Sequence, residues 1–597
     1  MPPRFRSIPE LLQYRLQASP QGAAYLAPEG DSWKTISWTT FGEQVKALAM
    51  GLSALGLKAG ERCAIQATTS YPWILADVAV LCAAGVTTTL YPTAAWEEAL
   101  HILKDADVRI LFVDNEENLP RLRAHKAELP NLKYVICFGE KPSSFTEEWL
   151  LPLEQVSAAG MSASQTEYER LWQHLEPSSL ATIIYTSGST GIPKGVELTH
   201  DCWLYEAEGI GQLNVICPED IQLLWLPLSH VFGKLFGILS FRLGFATAVD
   251  GRVDKIVDNL ASIRPTFSEA VPRIFEKIRN KIIQNAKQGG AAKYKILKWA
   301  IRIGKKAKAS PKRGPVLATQ YALARKLVLD KINALFGGRI RFIISGGAPL
   351  SPEVAEFFYA CGILILEGYG LTETSAASCV NIPANFTFGT VGPPLPGTEV
   401  KIAEDGEVLL RGRGVMRAYH GQAEATAEAL KDGWFYTGDI GKMVEGKLQI
   451  VDRKKELIKT SGGKYIAPQH LEGSLKAFCP YIHQVLIHGN NRNFCSALLV
   501  LEPESIQRWA RQNGIPDLEF SPRHPKITAL IESYLHRFNA RLASFETIKK
   551  FHILENDFSI ANGELTPSLK LKRKFIEKKY EAVLDGLYSG KVLSTDS

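Results

Sequence analysis

The chain has 597 residues, 46% of them hydrophobic, and its 69 Lys and Arg against 62 Asp and Glu leave a net charge of +7. That length predicts more than one domain and a large core, and so mild a charge gives no argument for a nucleic-acid partner. Nine scattered cysteines with no C-x-x-C suggest neither a zinc site nor a disulfide framework and fit a reducing compartment.

The first residues, MPPRFRSIPELLQYRLQ, carry charges but no apolar h-region, so they are not read as a signal peptide. The longest apolar run, 73–89, contains Asp77 and is short for a membrane span. A soluble, cytoplasmic protein is expected.

In chain order, residues 8–26 read as an amphipathic opening helix. Residues 40–57 have helical apolar spacing, 63–65 read as a buried strand, 72–84 as an apolar helix and 86–90 as a β-branched strand, with further strands at 110–113 and 134–136. This alternation predicts an α/β fold with a parallel sheet. Residues 140–175 are polar and read as an irregular surface connection.

An apolar strand then runs into Tyr185-Thr186-Ser187-Gly188-Ser189-Thr190-Gly191-Ile192-Pro193-Lys194-Gly195. Glycines let backbone N–H groups approach an anion, and hydroxyls with a lysine complete a phosphate cradle. A Walker A loop needs Lys directly after its last Gly and Ser or Thr after the Lys. Pro193 and Gly195 break that pattern, so the loop suits a triphosphate held in another way, and a Ser/Gly linker is the bland alternative.

Residues 222–230 read as a strand ending at His230, which is either a structural histidine beside the apolar stretch 231–245 or a pocket residue. Residues 277–313 hold thirteen Lys and Arg and no Asp or Glu, with Tyr294, Leu297, Trp299 and Ile301 among them. Such a segment is either a solvated helical face or one that lies on an anionic membrane surface. Strands at 341–345 and 363–367 run into Gly346-Gly347-Ala348 and Gly368-Tyr369-Gly370, followed by Leu371-Thr372-Glu373-Thr374. Ligands bind outside the carboxyl ends of strands in α/β sheets, so these loops outline a nucleotide site, with Tyr369 to stack on a base and Glu373 to hold a metal. Asp439, in Tyr436-Thr437-Gly438-Asp439, can accept hydrogen bonds from ribose hydroxyls. The charged stretch 452–456 reads as a domain boundary, and Thr566-Pro567-Ser568-Leu569-Lys570-Leu571-Lys572-Arg573 lies near the end of a smaller α+β domain.

These blocks, YTSGSTGIPKG, GYGLTETS, YTGD, DRKKELIK and the late Lys570, occur in the order and approximate spacing of the adenylate-forming superfamily, which the chain resembles over nearly its whole length. Within it the chain is most similar to long-chain fatty-acid–CoA ligases, through the long insertion before Ser345-Gly346-Gly347 and the ending TPSLKLKR. Leu569 stands where many relatives have Gly before the catalytic Lys. The resemblance implies a large, multi-subdomain N-terminal α/β domain for AMP and acyl binding over 1–451 and a small mobile α+β domain over 452–597. It implies that Thr186, Ser187, Gly188, Ser189, Thr190, Gly191 and Lys194 embrace the β- and γ-phosphates of ATP. Thr186 and Glu373 would position Mg²⁺. Gly346, Gly347, Ala348, Gly368, Tyr369, Gly370 and Thr372 would form the adenine side, and Asp439 and Arg453 the ribose contacts. His230 would lie at the acyl site and Lys455 at a hinge. Lys459, Gly462 and Gly463 would approach coenzyme A or the adenylate in a second step, and Lys570, Glu373 and Lys194 would carry the catalysis.

The implied activity joins a fatty acid to CoA through an acyl-adenylate, with fatty acid, ATP and CoA as partners, no nucleic acid, a membrane surface touched peripherally, and a carrier protein left open. The alternatives are a fatty-acyl-AMP or acyl-carrier-protein ligase, a luciferase-like oxidase, and a non-catalytic binding protein. Damaged motifs would mark the last, whereas Glu373, Asp439, Arg453 and Lys570 are all present.

Overall fold

The β-branched runs and apolar-periodic helices fold into two large sheets with helices between and around them. The computed structural model describes residues 5–115, 118–139, 146–187, 193–310, 312–516, 520–566 and 569–589. Among these, one eight-stranded sheet has Phe342–Ser345 between Leu364–Tyr369 and Phe267–Ala270, followed by Ile221–Leu224 and Ala246–Val249. The other centres on Val86–Leu90 and Arg62–Gln66, with Leu180–Ser187 and Pro193–Thr199 toward one edge. The inner strands of both pair in parallel, as a βαβ rhythm requires. Strands buried on both faces carry continuous apolar or β-branched residues. Thr87 and Thr88 accordingly lie fully buried beside Val86.

The helix Val231–Leu243 lies in the largest core and is buried on nearly every side, which explains its apolar composition all round. Its Lys234 is ion-paired with buried Asp77 of the helix Tyr71–Cys82, between the rings of Trp73 and Trp203. The apolar run containing Asp77 is thus a core helix followed by a core strand. No described helix is long and apolar enough to cross a membrane.

Three sequence expectations change. The opening helix ends at Ala18, and Ala23–Glu29 is a strand of the first sheet. Pro20 disfavours helical backbone at Ser19, which ends the helix early. Residues 140–175 are not irregular throughout. Leu150–Pro152 adds an edge strand, and Leu153–Gly160 and Gln165–Trp172 are helices. Ser164 and Glu167 form a capping box at the second, a pattern visible in the sequence. The strand expected to end at His230 stops at Leu224, and His230 instead caps the helix Val231–Leu243. Pro227 stands between them and has no N–H for a continuing ladder.

Beyond a five-stranded antiparallel unit that includes Trp434–Val444 and Lys447–Arg453, the chain builds a separate core. Leu471, Leu475, Ile487, Leu499 and Ile531 pack together there around the strands Ile482–His488, Cys495–Leu501 and Ile548–Leu554. It meets the rest through Ala477, buried in a core cluster with Phe275 and Phe357, and through polar contacts. Arg273 donates to His483 at 2.7 Å, Arg279 donates to the Ala477 carbonyl at 2.7 Å, and Lys476 pairs with Glu276 at 3.3 Å.

Candidate active site

Strands Leu180–Ser187 and Pro193–Thr199 pair antiparallel and set Thr186 opposite Lys194. Gly188, Ser189, Thr190, Gly191 and the Ser187 side chain lie outside the described residues. The Lys194 ammonium stands 5.1 Å from the centre of the Tyr419 ring, and the Tyr419 hydroxyl donates to Glu373 Oε1 at 2.9 Å. Tyr419 therefore links Lys194 to the Glu373 carboxylate. No local signal marks this link, because Tyr419 belongs to a two-residue strand that pairs with Pro193–Thr199 only in the fold.

Glu373 sits in a short turn whose backbone is pinned. Its carbonyl accepts from Met416 N at 2.8 Å, and Ser375 Oγ donates to the Gly414 carbonyl at 2.7 Å. The chain doubles back so tightly that a Cβ at Gly370 would lie 1.6 Å from the Ala376 oxygen, so only glycine fits. Gly346 faces Phe232, whose ring edge lies 3.2 Å from where a Cβ would be, and Gly347 has φ +80°. Gly346, Gly347 and Ala348 follow the strand end at Ser345, and Gly368 and Tyr369 close the adjacent strand, which Gly370 and Thr372 extend as loop. The two expected loops thus emerge side by side.

Asp439 and Arg453 face each other across the hairpin Trp434–Val444/Lys447–Arg453, with Arg453 Nε 3.3 Å from Asp439 Oδ1. Tyr369 Oη donates to Asp439 Oδ2 at 2.7 Å. This joins the tyrosine of the first sheet to the acid of the antiparallel unit. Burial raises the pKa of Asp439, and Arg453 and Tyr369 oppose that rise. Burial also raises the Tyr369 hydroxyl well above its usual range, with the Asp439 charge adding to the effect.

Lys570 comes from the smaller unit, on a tight turn. Thr566 N donates to the Lys570 carbonyl at 2.8 Å, and Lys570 N donates to Thr566 Oγ1 at 3.0 Å. Leu569 has φ +61°, a left-handed backbone that glycine adopts without strain. The Lys570 side chain keeps solvent-exposed surface in the cleft. Even so, the protein packed around it lowers its pKa, Arg453 lowers it further, and Asp439, Glu456 and Glu373 act in the opposite sense. Its charge also reaches His230. Burial first and Lys570 second bring that imidazole down to about 3. His230 Nδ1 accepts from Phe232 N at 3.2 Å, which leaves the proton of the neutral ring on Nε2.

The structure therefore gathers Lys194, Glu373, Tyr369, Asp439, Arg453, His230 and Lys570 around one cleft. Lys459, Gly462 and Gly463 have no hydrogen bond or ion pair to these residues among the described ones. They lie exposed on or beside the ribbon Ile458–Lys459/Tyr465–Ile466 of the smaller unit, with Lys459 over the Tyr465 ring. Lys455 is exposed in the turn after Arg453, beside Lys454, which is held by Asp405 and Glu407.

Residues 12–420 match the AMP-binding enzyme family, and residues 455–592 match the AMP-binding enzyme C-terminal domain. A long-chain-fatty-acid–CoA ligase of Mycobacterium tuberculosis is 34% identical over 569 residues, 93% of each chain. A human long-chain-fatty-acid–CoA ligase is 29% identical over 594 residues, covering 94% of this chain and 82% of its own. Among solved structures, the adenylation domain of a carboxylate reductase from Mycobacterium chelonae shares the fold. Its TM-score is 0.77 at 22% identity, and the match covers 98% of this chain and 92% of that one. With family models matching residues 12–420 and 455–592 and a relative 34% identical over 93% of its length, the chain belongs to the adenylate-forming, AMP-binding enzyme family.

Proposed function

We propose that the chain activates a long-chain fatty acid with ATP and passes the acyl group to CoA, releasing pyrophosphate and then AMP. The observation that carries this reading is Lys570 at the same cleft as Glu373, Asp439 and His230. That is the arrangement wanted for the first of two steps. The names of the relatives support the acid and the acceptor.

In the first step the fatty carboxylate attacks the α-phosphorus of ATP and pyrophosphate leaves. Both reactants are negative, so the site must offset charge and hold the attack in line. Lys194 and Lys570 supply that charge. Asp439 and Arg453 hold the ribose, with Tyr369 beside them. His230, kept neutral, can donate from Nε2 without adding a cation. Glu373 and Thr186 suit Mg²⁺: they offer hard oxygen donors, and Glu373 Oε2 has no hydrogen-bond partner among the described residues. The ion would neutralise triphosphate charge there, keeping phosphate and water as its other ligands. In the second step the CoA sulfur bonds to the acyl carbon, the bond from that carbon to the AMP oxygen breaks, and the thiol proton goes to solvent. No covalent enzyme intermediate is required, and eight of the nine cysteines are buried.

We further place the domain boundary between 451 and 452 and the hinge at Lys455. The chain works in the cytoplasm with peripheral membrane contact. AMP release with CoA, measured across acids of increasing length, tests the function. Each buried CH₂ contributes about 0.8 kcal/mol, roughly fourfold in kcat/KM until the acyl site is full. Equal kcat/KM for octanoate and palmitate refutes the long-chain reading, and product with a carrier protein but not with CoA refutes the acceptor.

A further inference from the structure

Residues 277–329 hold fifteen of the chain's 69 basic residues and none of its 62 acidic ones, so the rest of the chain, with 54 basic residues, is net −8. These residues form the helices Pro272–Gln288, Ala291–Ala309 and Pro315–Ala324, the last running on through the π-helical turn Arg325–Leu329. Ala291–Ala309 buries Leu297, Ala300, Ile303 and Ala307. Its opposite side presents Lys295, Lys298, Arg302 and Lys306, all exposed and without an ion pair among the described residues.

A second observation separates this face from an ordinary solvated one. Ile296 is 44% exposed, Val316 70%, Leu323 49% and Leu327 43%. Val316, Leu323 and Leu327 stand seven and four residues apart, which puts them on one helix side. The helix Pro315–Ala324 is apolar in composition, yet only Ala324 of it is buried. A helix kept in water has no use for such a stripe. A nucleic-acid backbone would complement the lysines but not the leucines, whereas an anionic bilayer complements both.

We infer that these helices are a docking surface for an anionic lipid bilayer. The exposed Lys and Arg side chains meet the headgroups, and Val316, Leu323 and Leu327 enter the boundary between headgroups and acyl chains. The purpose of this surface rests on the long-chain reading. Such acids partition into bilayers, and a docked enzyme meets them there.

The test is sedimentation of the full chain with vesicles of phosphatidylcholine alone or mixed with equal parts of phosphatidylglycerol. Binding is expected to the mixed vesicles only and to weaken as salt rises. Each basic residue at the surface is worth roughly a factor of five, so the quadruple variant K295Q/K298Q/R302Q/K306Q is expected to bind several hundredfold more weakly. A second variant, V316N/L323N/L327N, is expected to weaken binding by removing the inserted side chains. Both changes are confined to exposed positions, so activity on a soluble medium-chain acid without vesicles should stay at the wild-type level. The inference is overturned by equal binding to neutral vesicles, by no binding to either kind, by unchanged binding of either variant, or by tighter binding to duplex DNA than to vesicles. An enzyme that activates acids but ignores vesicles loses this surface and keeps its function. One that docks but activates no acid does the reverse.

Discussion

Lys570→Ala divides the two half-reactions. The turn that carries Lys570 is held by its backbone, through the Thr566 N–H and the Thr566 hydroxyl, so truncating the side chain leaves the turn in place. What is lost is one cation placed among Asp439, Glu456 and Glu373, which on the proposed reaction offsets the charge that develops at the α-phosphorus. Removing a preorganised electrostatic contact of that kind costs about 10²–10³-fold in rate. Pyrophosphate exchange into ATP, driven by the fatty acid, should fall by that factor. Conversion of supplied acyl-adenylate and CoA to thioester should stay within about twofold, because removing a group that acts only in the other step costs no transition-state binding here. Lys455→Pro should give the opposite pattern if Lys455 is the hinge, since proline fixes φ at that residue and restricts the one before it. Equal loss in both half-reactions for Lys570→Ala refutes the division of labour, and no loss in either removes Lys570 from the mechanism.

Gly370→Ala should be nearly inactive. Relieving the 1.6 Å contact with the Ala376 oxygen moves the Glu373 turn by about 2 Å, and a misplacement of about 1 Å already costs on the order of a hundredfold. Gly347→Ala meets nothing within 4 Å and has only its φ of +80° to resist it, so urea unfolding should show a loss of about 1–2 kcal/mol with the turn of Glu373 intact. Asp77→Ala leaves Lys234 charged and buried, and should cost about 3–5 kcal/mol in the same assay, most of it recovered in Asp77→Leu/Lys234→Met. His200 is fully buried, and burial takes its pKa from 6.5 to about 3. The unfolded chain therefore binds the proton first, so stability is present above pH 6.5 and is lost as pH falls toward 3. The loss from this one residue is about 1 kcal/mol between pH 7 and 5.5, and His200→Gln should flatten the slope of unfolding free energy over that window. An unchanged slope refutes the assignment.

Much of this was legible in the sequence because the site loops are local. Glycine and hydroxyl residues directly follow β-branched strands, and strand ends are where α/β sheets bind ligands, so Gly346, Gly347, Tyr369 and Glu373 fell where the strands put them. What was not legible depends on pairing across long separations. Tyr419 reaches Glu373 only because Ala418–Tyr419 pairs with Pro193–Thr199. Lys234 reads as a stray charge in an apolar helix until Asp77, 157 residues away, is seen beside it. Two departures have local causes: Pro227 follows the strand that ends at Leu224, and the Ser164/Glu167 capping box starts the helix Gln165–Trp172.

The electrostatics explain why the last cation arrives on a separate body. Arg453 already lies in the cleft and lowers the pKa of Lys570, so two cations oppose each other there and Asp439, Glu456 and Glu373 offset them. A bound triphosphate adds negative charge to that balance and favours the position in which Lys570 is present. Loss of pyrophosphate removes the charge and weakens the hold. Apart from Ala477, which is buried in a core of the larger body, the contacts between the two bodies, among them Arg273 with His483, Gln284 with Ser505 and Lys476 with Glu276, are polar and can be exchanged for water at modest cost. On the two-step reading, departure of the first product is then what releases the smaller domain. Excess pyrophosphate should accordingly slow thioester formation from supplied acyl-adenylate, and less so in Lys570→Ala, because the variant has lost the cation that pyrophosphate retains. Equal slowing in both proteins would place the release signal elsewhere.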